Sequence, residues 1–335
     1  MIGRLAAAFR DLRLHRPWSF KAPFLISIPY FVIHVAGLDI AAATAAILAS
    51  AVTILGIAGV AYLLNDFADR EADLLGGKPN FFNGRSLWAA LSLALACVAL
   101  AVVPWLTVLP LTRRTAPWLG LELLLFAIYA LPPLRLKDRG VLGMLTDSLY
   151  AHAVPAVLAA LTIAEIGKVP DAVLLPYLTV LASWQFVLGL RNILLHQLLD
   201  REQDEVAGTR TWVTQVGAER GERLLRRLVA PAELTLYLAW IVLVAREVSI
   251  FLPGLLLFLL FTSWVIRVRW KQALPGDLRS FLFNYVDDFC CEWVPLLLLI
   301  QLAVDSPPFL AFLGLHLLLF PKNAGRRVWL ELRPT

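Results

Sequence analysis

Asn65-Asp66-Phe67-Ala68-Asp69-Arg70-Glu71-Ala72-Asp73 places four carboxylates in nine residues at the end of a long apolar run. Far downstream, Asp200-Arg201-Glu202-Gln203-Asp204 ends another apolar run and repeats the first motif almost letter for letter. If each apolar helix continues through its motif, Asn65, Asp69 and Asp73 fall at i, i+4 and i+8 on one face, and so do His196, Asp200 and Asp204. Like charges stacked at that spacing destabilise a helix, and a charge at a membrane boundary is costly, so a cation must compensate each face. Mg²⁺ is the simplest candidate, because it takes hard oxygen ligands and is commonly shared between carboxylates and a substrate's phosphate groups.

The elements that position these acids follow from composition. The chain has 335 residues, 59% hydrophobic and 16% charged, which is too apolar and too sparsely charged for a soluble domain. It reads as an all-α, multi-pass membrane protein. Apolar stretches lie near 22–37, 40–64, 87–109, 117–132, 141–163, 172–197, 229–245, 248–266 and 290–304, each near the ~20 residues that cross a bilayer once tilt and fraying are allowed. A tenth, 309–320, is short for a span. The organisation expected is an interfacial amphipathic helix over 1–21, a transmembrane domain over 22–306, and a short hydrophobic segment with a basic tail over 307–335.

Charge orients the spans. With alternating crossings, 26 of the 30 Lys and Arg residues fall on the side of the N-terminus, and only Arg113, Arg114, Lys168 and Arg246 fall opposite. The positive-inside rule then puts the N-terminus and both acidic motifs in the cytoplasm, with the cell inner membrane as the expected location. The net charge of +5 is spread over loops with no compact basic patch, which argues against nucleic acid. Cys97, Cys290 and Cys291 lie in or beside apolar segments and suit packing better than a disulfide framework or a zinc site.

The two motifs align as an internal repeat, with Asn65 opposite His196, and two halves running the same way would bring both acidic ends to one side of a central cavity. At these residues the chain resembles the UbiA superfamily of membrane-embedded prenyltransferases. Asn65-Asp66-x-x-Asp69-x-x-x-Asp73 and Asp200-x-x-x-Asp204 are similar to its two aspartate-rich motifs. Tyr129-Ala-Leu-Pro132-Pro133-Leu-Arg135-Leu-Lys137 resembles its second cytoplasmic loop, and Arg16-Pro17-Trp18 its start. The resemblance implies a bundle of about nine helices, with a short tenth, around a cavity open to cytoplasm and lipid. It also implies an isoprenyl diphosphate donor held through Mg²⁺. By position, Asn65, Asp66, Asp69 and Asp73 would serve one metal and Asp200 and Asp204 the other, with Asp66, Asp69, Asp200 and Asp204 as the catalytic acids. Asn65, Lys78, Arg135 and Lys137 would contact the diphosphate.

The chain departs from the family after the first motif, where Lys78-Pro79-Asn80 stands in place of a Lys-x-x-Arg-Pro signature, and before the second, where His196-Gln197 replaces an acid found in some members. The function expected is transfer of an isoprenyl chain to an aromatic or other lipid-precursor small molecule. Cyclisation of the isoprenoid and transfer to phosphoribose or heme are the nearest rivals. The developing carbocation would need a dry cavity and aromatic faces such as Trp184, Phe186 or Tyr150. A secondary transporter is the rival of another class, and it is disfavoured by acids that sit at span ends rather than mid-span. Asp287, Asp288 and Glu292 read as charges offsetting a helix dipole.

Overall fold

The computed structural model describes residues 18, 21–75, 80–206, 208–269 and 277–320. The expected amphipathic helix, apart from Trp18 and Lys21, lies outside the described residues, as do Lys78 and the basic tail after Phe320. Among the described residues there is no strand, and ten helical segments overlap the apolar stretches of the sequence. They are α1 (Ala22–Ala36), α2 (Ile40–Ala68), α3 (Leu87–Thr107), α4 (Thr115–Ala130), α5 (Val141–Gly167), α6 (Asp171–Val206), α7 (Ala218–Glu247), α8 (Phe251–Val268), α9 (278–305) and α10 (Pro307–Leu319). By length and composition, α2, α3, α5, α6, α7 and α8 can cross a membrane, while α1, α4 and α10 are apolar but shorter.

Local chemistry sets the boundaries. Asp39 caps α2, its Oδ1 accepting from the amides of Ala41 and Ala42 at 2.8 and 2.9 Å, which satisfies donors that have no partner within the helix. Ser86 caps α3 in the same way. Gly37 ends α1 in the left-handed conformation at φ 61°, a turn that glycine makes without strain.

Each helix packs against several neighbours: α2 against α3 and α4, α5 against α1, α4 and α6, α6 against α7, and α9 against α1. Backbones approach closely where small residues meet, since helices in lipid associate by packing and not by expelling water. A Cβ at Gly56 of α2 would lie 2.2 Å from the Ala101 amide nitrogen of α3, so this crossing requires glycine. A fully buried aromatic cluster of Trp184, Trp240, Phe251 and Phe289 joins α6, α7, α8 and α9. The short α10 folds back onto the first helix: Tyr30 Oη meets His316 Nδ1 at 3.2 Å, and Trp18 Nε1 donates to the Leu319 carbonyl at 2.9 Å.

One ion-pair group ties three helices together. Arg191 of α6, 3% exposed, donates to Glu233 of α7 at 2.8 Å and to Asp287 of α9 at 2.6 Å. This corrects the expectation that Asp287 merely offsets a helix dipole: it is half of the counter-charge of a buried guanidinium.

Candidate active site

The helix through the first motif bends without losing its register. α2 ends at Ala68 and a six-residue helix, Arg70–Leu75, follows, yet the Asp69 amide still bonds the Asn65 carbonyl at 2.9 Å and the Asp73 amide bonds the Asp69 carbonyl at 2.8 Å. Asn65, Asp69 and Asp73 therefore keep one face, as their spacing predicts. The second motif is simpler, because α6 runs unbroken to Val206 and carries His196, Asp200 and Asp204 one turn apart. His196 Nδ1 lies 3.1 Å from Asp200 Oδ2.

The loop between α4 and α5 supplies the compensating cations. Arg135 donates to Asp69 Oδ1 at 2.7 Å and to the Ala68 carbonyl at 2.9 Å, and it also pairs with Asp138. Lys137 Nζ reaches Asp69 Oδ2 at 2.5 Å and Asn65 Oδ1 at 3.0 Å. Burial pushes the Lys137 ammonium below its usual range, and the Asp69 carboxylate partly restores it. Burial also works against Arg135, but its pairing with Asp138 and Asp69 prevails and holds the guanidinium above its ordinary value.

Asp66 has a different setting. It is 3% exposed, and its Oδ2 accepts from the Phe81 amide at 2.9 Å. Asn80 Nδ2 bonds both the Asp66 carbonyl and Asp73 Oδ2 at 2.7 Å. Asn80 is thus fastened to the first motif, at one of the positions where the sequence departs from the signature of the family it resembles. Sequence reasoning did not single out Asn80.

Each motif contributes to the lining of one cavity of about 770 Å³, although Asp66, Asp69, Asp73 and Asp204 are not among the lining residues. Asn65 of α2 and Asp200 and His196 of α6 lie in its wall, and most of the remaining lining is apolar. α5 contributes three consecutive residues, Tyr150, Ala151 and His152. A regular helix would turn some of these away; here Leu149–Ala153 forms a π-helical turn that re-aims them. Gly189 of α6 allows the approach, since a Cβ there would lie 2.7 Å from Ser148 Cα.

The aromatic prediction divides. Tyr150 lines the cavity, 4.5 Å from Phe126 and 4.9 Å from Tyr129 by ring centroid, and all three face the same space. Trp184 does not, being wholly buried in the core against Phe24 and Trp240, and Phe186 is likewise outside the lining. On helix α6 a change of one or two positions decides whether a ring faces cavity or core, and composition alone does not fix that rotation.

The expectation that acids stay at span ends also fails. Glu122 sits in the middle of α4 and Asp147 two turns into α5, and both line the cavity together with Lys21. Asp147 Oδ1 accepts from Tyr150 Oη at 2.8 Å. The signal was in the sequence: single ionisable residues inside apolar stretches default to function.

The donor set suits a hard divalent ion. Asn65, Asp69 and Asp73 present oxygens from the end of α2 and the short helix after it, Asp200 and Asp204 from α6, and Asn65 and Asp200 line the same cavity. Among the described residues, no three His, Cys, Asp or Glu side chains already converge closely enough to hold a metal by themselves. Arg135 and Lys137 meanwhile satisfy Asp69.

The helical arrangement has known counterparts. A UbiA homolog from Archaeoglobus fulgidus bound to GPP and Mg²⁺ superposes with a TM-score of 0.54 over 88% of this chain and 99% of its own, at 19% identity. The same homolog bound to DMAPP and Mg²⁺ gives the same values, and bound to Cd²⁺ it gives 0.52. This chain has the UbiA fold. In sequence, the lycopene elongase/hydratase of Halobacterium salinarum is 29% identical over 159 residues, covering 48% of this chain and 54% of that protein. Its namesake from Haloferax volcanii is 28% identical over 160 residues, covering 48% and 49%. The chain thus spans about half the length of the curated relatives it matches, and no protein-family model matches it.

Proposed function

We propose that the protein transfers an isoprenyl chain from an allylic diphosphate to an apolar, lipid-soluble acceptor, and that its acidic mouth faces the cytoplasm. The observation that carries this reading is the placement of Asn65 and Asp200, from the two repeated motifs, on the rim of one largely apolar cavity, with Arg135 and Lys137 gathered on Asp69 beside it. Asn65, Asp69 and Asp73 would hold one Mg²⁺, and Asp200 and Asp204 another. Bound there, the metal would supply charge neutralisation for a diphosphate leaving group.

This chain's own residues do the rest. When the allylic C–O bond breaks, negative charge gathers on the diphosphate, and Arg135 and Lys137 stand ready to move from Asp69 toward it, a preorganised source of electrostatic stabilisation. Asp66 and Asn80 hold the motif and its loop in place. The allylic cation needs the opposite surroundings, and Phe126, Tyr129 and Tyr150 offer it aromatic faces in a cavity whose lining is mostly apolar. The acceptor reading rests on the apolar lining and on the names of the relatives, and it favours an isoprenoid polyene over an aromatic acid.

The test is to incubate membranes bearing the protein with dimethylallyl or geranyl diphosphate, with and without Mg²⁺, offering lycopene or a hydroxybenzoate as acceptor. Mg²⁺-dependent diphosphate release with a prenylated polyene supports the proposal. A prenylated arene would transfer the acceptor assignment to the aromatic class. If neither donor releases diphosphate, the enzymatic reading is lost, and the mid-membrane acids Glu122 and Asp147 then favour transport.

A further inference from the structure

A prenyl transfer that ends on a carbon acceptor must dispose of a proton, and none of the residues assigned so far does this. Glu122 meets the requirement. It is 1% exposed, lies in the cavity wall, and its Oε2 has no hydrogen-bond partner. Buried carboxylate oxygens are rarely left unpaired, because each one forgoes the hydration it had in water. A carboxylate at that depth also needs a counter-charge. Among the described residues, Lys21 is the one Lys or Arg in the lining of this cavity, which it shares with Glu122 and Asp147. Asp147 is already engaged by Tyr150, so Glu122 is the acid with a vacant acceptor.

Register places Glu122 where the proton would be released. It lies four residues from Phe126 and so shares that residue's face of α4, one turn deeper, or about 6 Å along the axis. Phe126 packs on Tyr150 in the aromatic group that faces the allylic cation. An acceptor alkene that attacks this cation becomes cationic itself a bond or two further from the diphosphate, in the direction of Glu122.

We propose that Glu122 is the catalytic base that ends the reaction by taking this proton. The inference rests on the prenyl-transfer reading above. The donor's C–O bond breaks with its electron pair leaving on diphosphate, and the acceptor's π pair forms the new C–C bond. Either the neighbouring C–H pair then closes to an alkene or a water oxygen adds to the cation. In both cases one proton passes to Glu122 Oε2 and from there to water at the cavity mouth.

The experiment compares wild type, Glu122→Gln and Glu122→Asp with dimethylallyl diphosphate and lycopene, measuring diphosphate released and coupled product by mass. The wild-type product's mass distinguishes C–H loss from water addition. For Glu122→Gln the expected result is continued diphosphate release with about 10²-fold less coupled product per diphosphate. The remainder should appear as free prenol, and Glu122→Asp should recover part of the coupling. An unchanged coupling ratio in Glu122→Gln overturns the proposal. Parallel loss of diphosphate release in both variants also overturns it, by placing Glu122 in the donor site or the fold. A wild type that releases no diphosphate defeats the underlying prenyl-transfer reading instead.

Discussion

Replacing Lys137 with Gln separates two roles that the site combines. In the free protein the ammonium contacts both oxygens of Asp69 and the side-chain oxygen of Asn65, so it competes with any metal for the same groups. In the proposed donor complex it would turn to the diphosphate. A charge-assisted hydrogen bond of this kind contributes about 1.5–3 kcal/mol, so kcat/KM for the donor should fall roughly 10- to 100-fold. Mg²⁺ affinity without donor should hold or improve, since a competitor has been removed. pH gives a second signature. Burial lowers the Lys137 pKa below the ordinary lysine value of about 10.4, so wild-type donor affinity should decline as pH rises through the lowered value, and Lys137→Gln should lack that limb. The sign for stability is opposite: a base depressed in the fold binds fewer protons there than when unfolded, so stability rises as it deprotonates. Alkaline loss of activity without loss of thermal stability is therefore expected. Titrating donor and Mg²⁺ separately against both proteins checks this. Weaker Mg²⁺ binding with an unchanged donor KM would refute the assigned role.

Other outcomes follow from the same geometry. Asp69→Ala and Asp204→Ala should each abolish Mg²⁺-dependent diphosphate release while leaving expression intact, as read by activity and detergent-extracted yield; activity in both would reject the two-motif metal site. Glu233→Ala leaves Arg191 buried beside Asp287 alone, and breaking a buried pair from one side costs about 3–5 kcal/mol. A thermal midpoint within a degree or two of wild type in a detergent-based melt would count against that triad as a structural clamp.

Sequence periodicity located the helices well, because ten apolar stretches separated by charged loops leave few alternatives in a bilayer. It also located the acidic tips, whose spacing matches a helical turn. Rotation was harder to read. Trp184 and Tyr150 are both aromatic residues inside apolar segments, but one faces the core and the other the cavity, and the π-helical turn at Leu149–Ala153 that decides the second leaves no periodic trace. Glu122, Asp147 and Arg191 were visible as isolated charges within apolar runs. Their division into a cavity pair and a structural triad depends on contacts across five helices. The Asn80 tie was hidden for a related reason, since a hydrogen bond from a loop to a helix end follows no repeat.

The proposed function requires that the ends of α2 and α6 grip one diphosphate through divalent ions. Replacing Mg²⁺ with Mn²⁺ and recording pulsed electron paramagnetic resonance in the presence of geranyl diphosphate tests it directly. The expected spectrum is that of two magnetically coupled Mn²⁺ ions, with the coupling lost when either Asp69 or Asp200 is changed to Ala. Isolated ions whose binding ignores both the donor and the two substitutions would contradict the account.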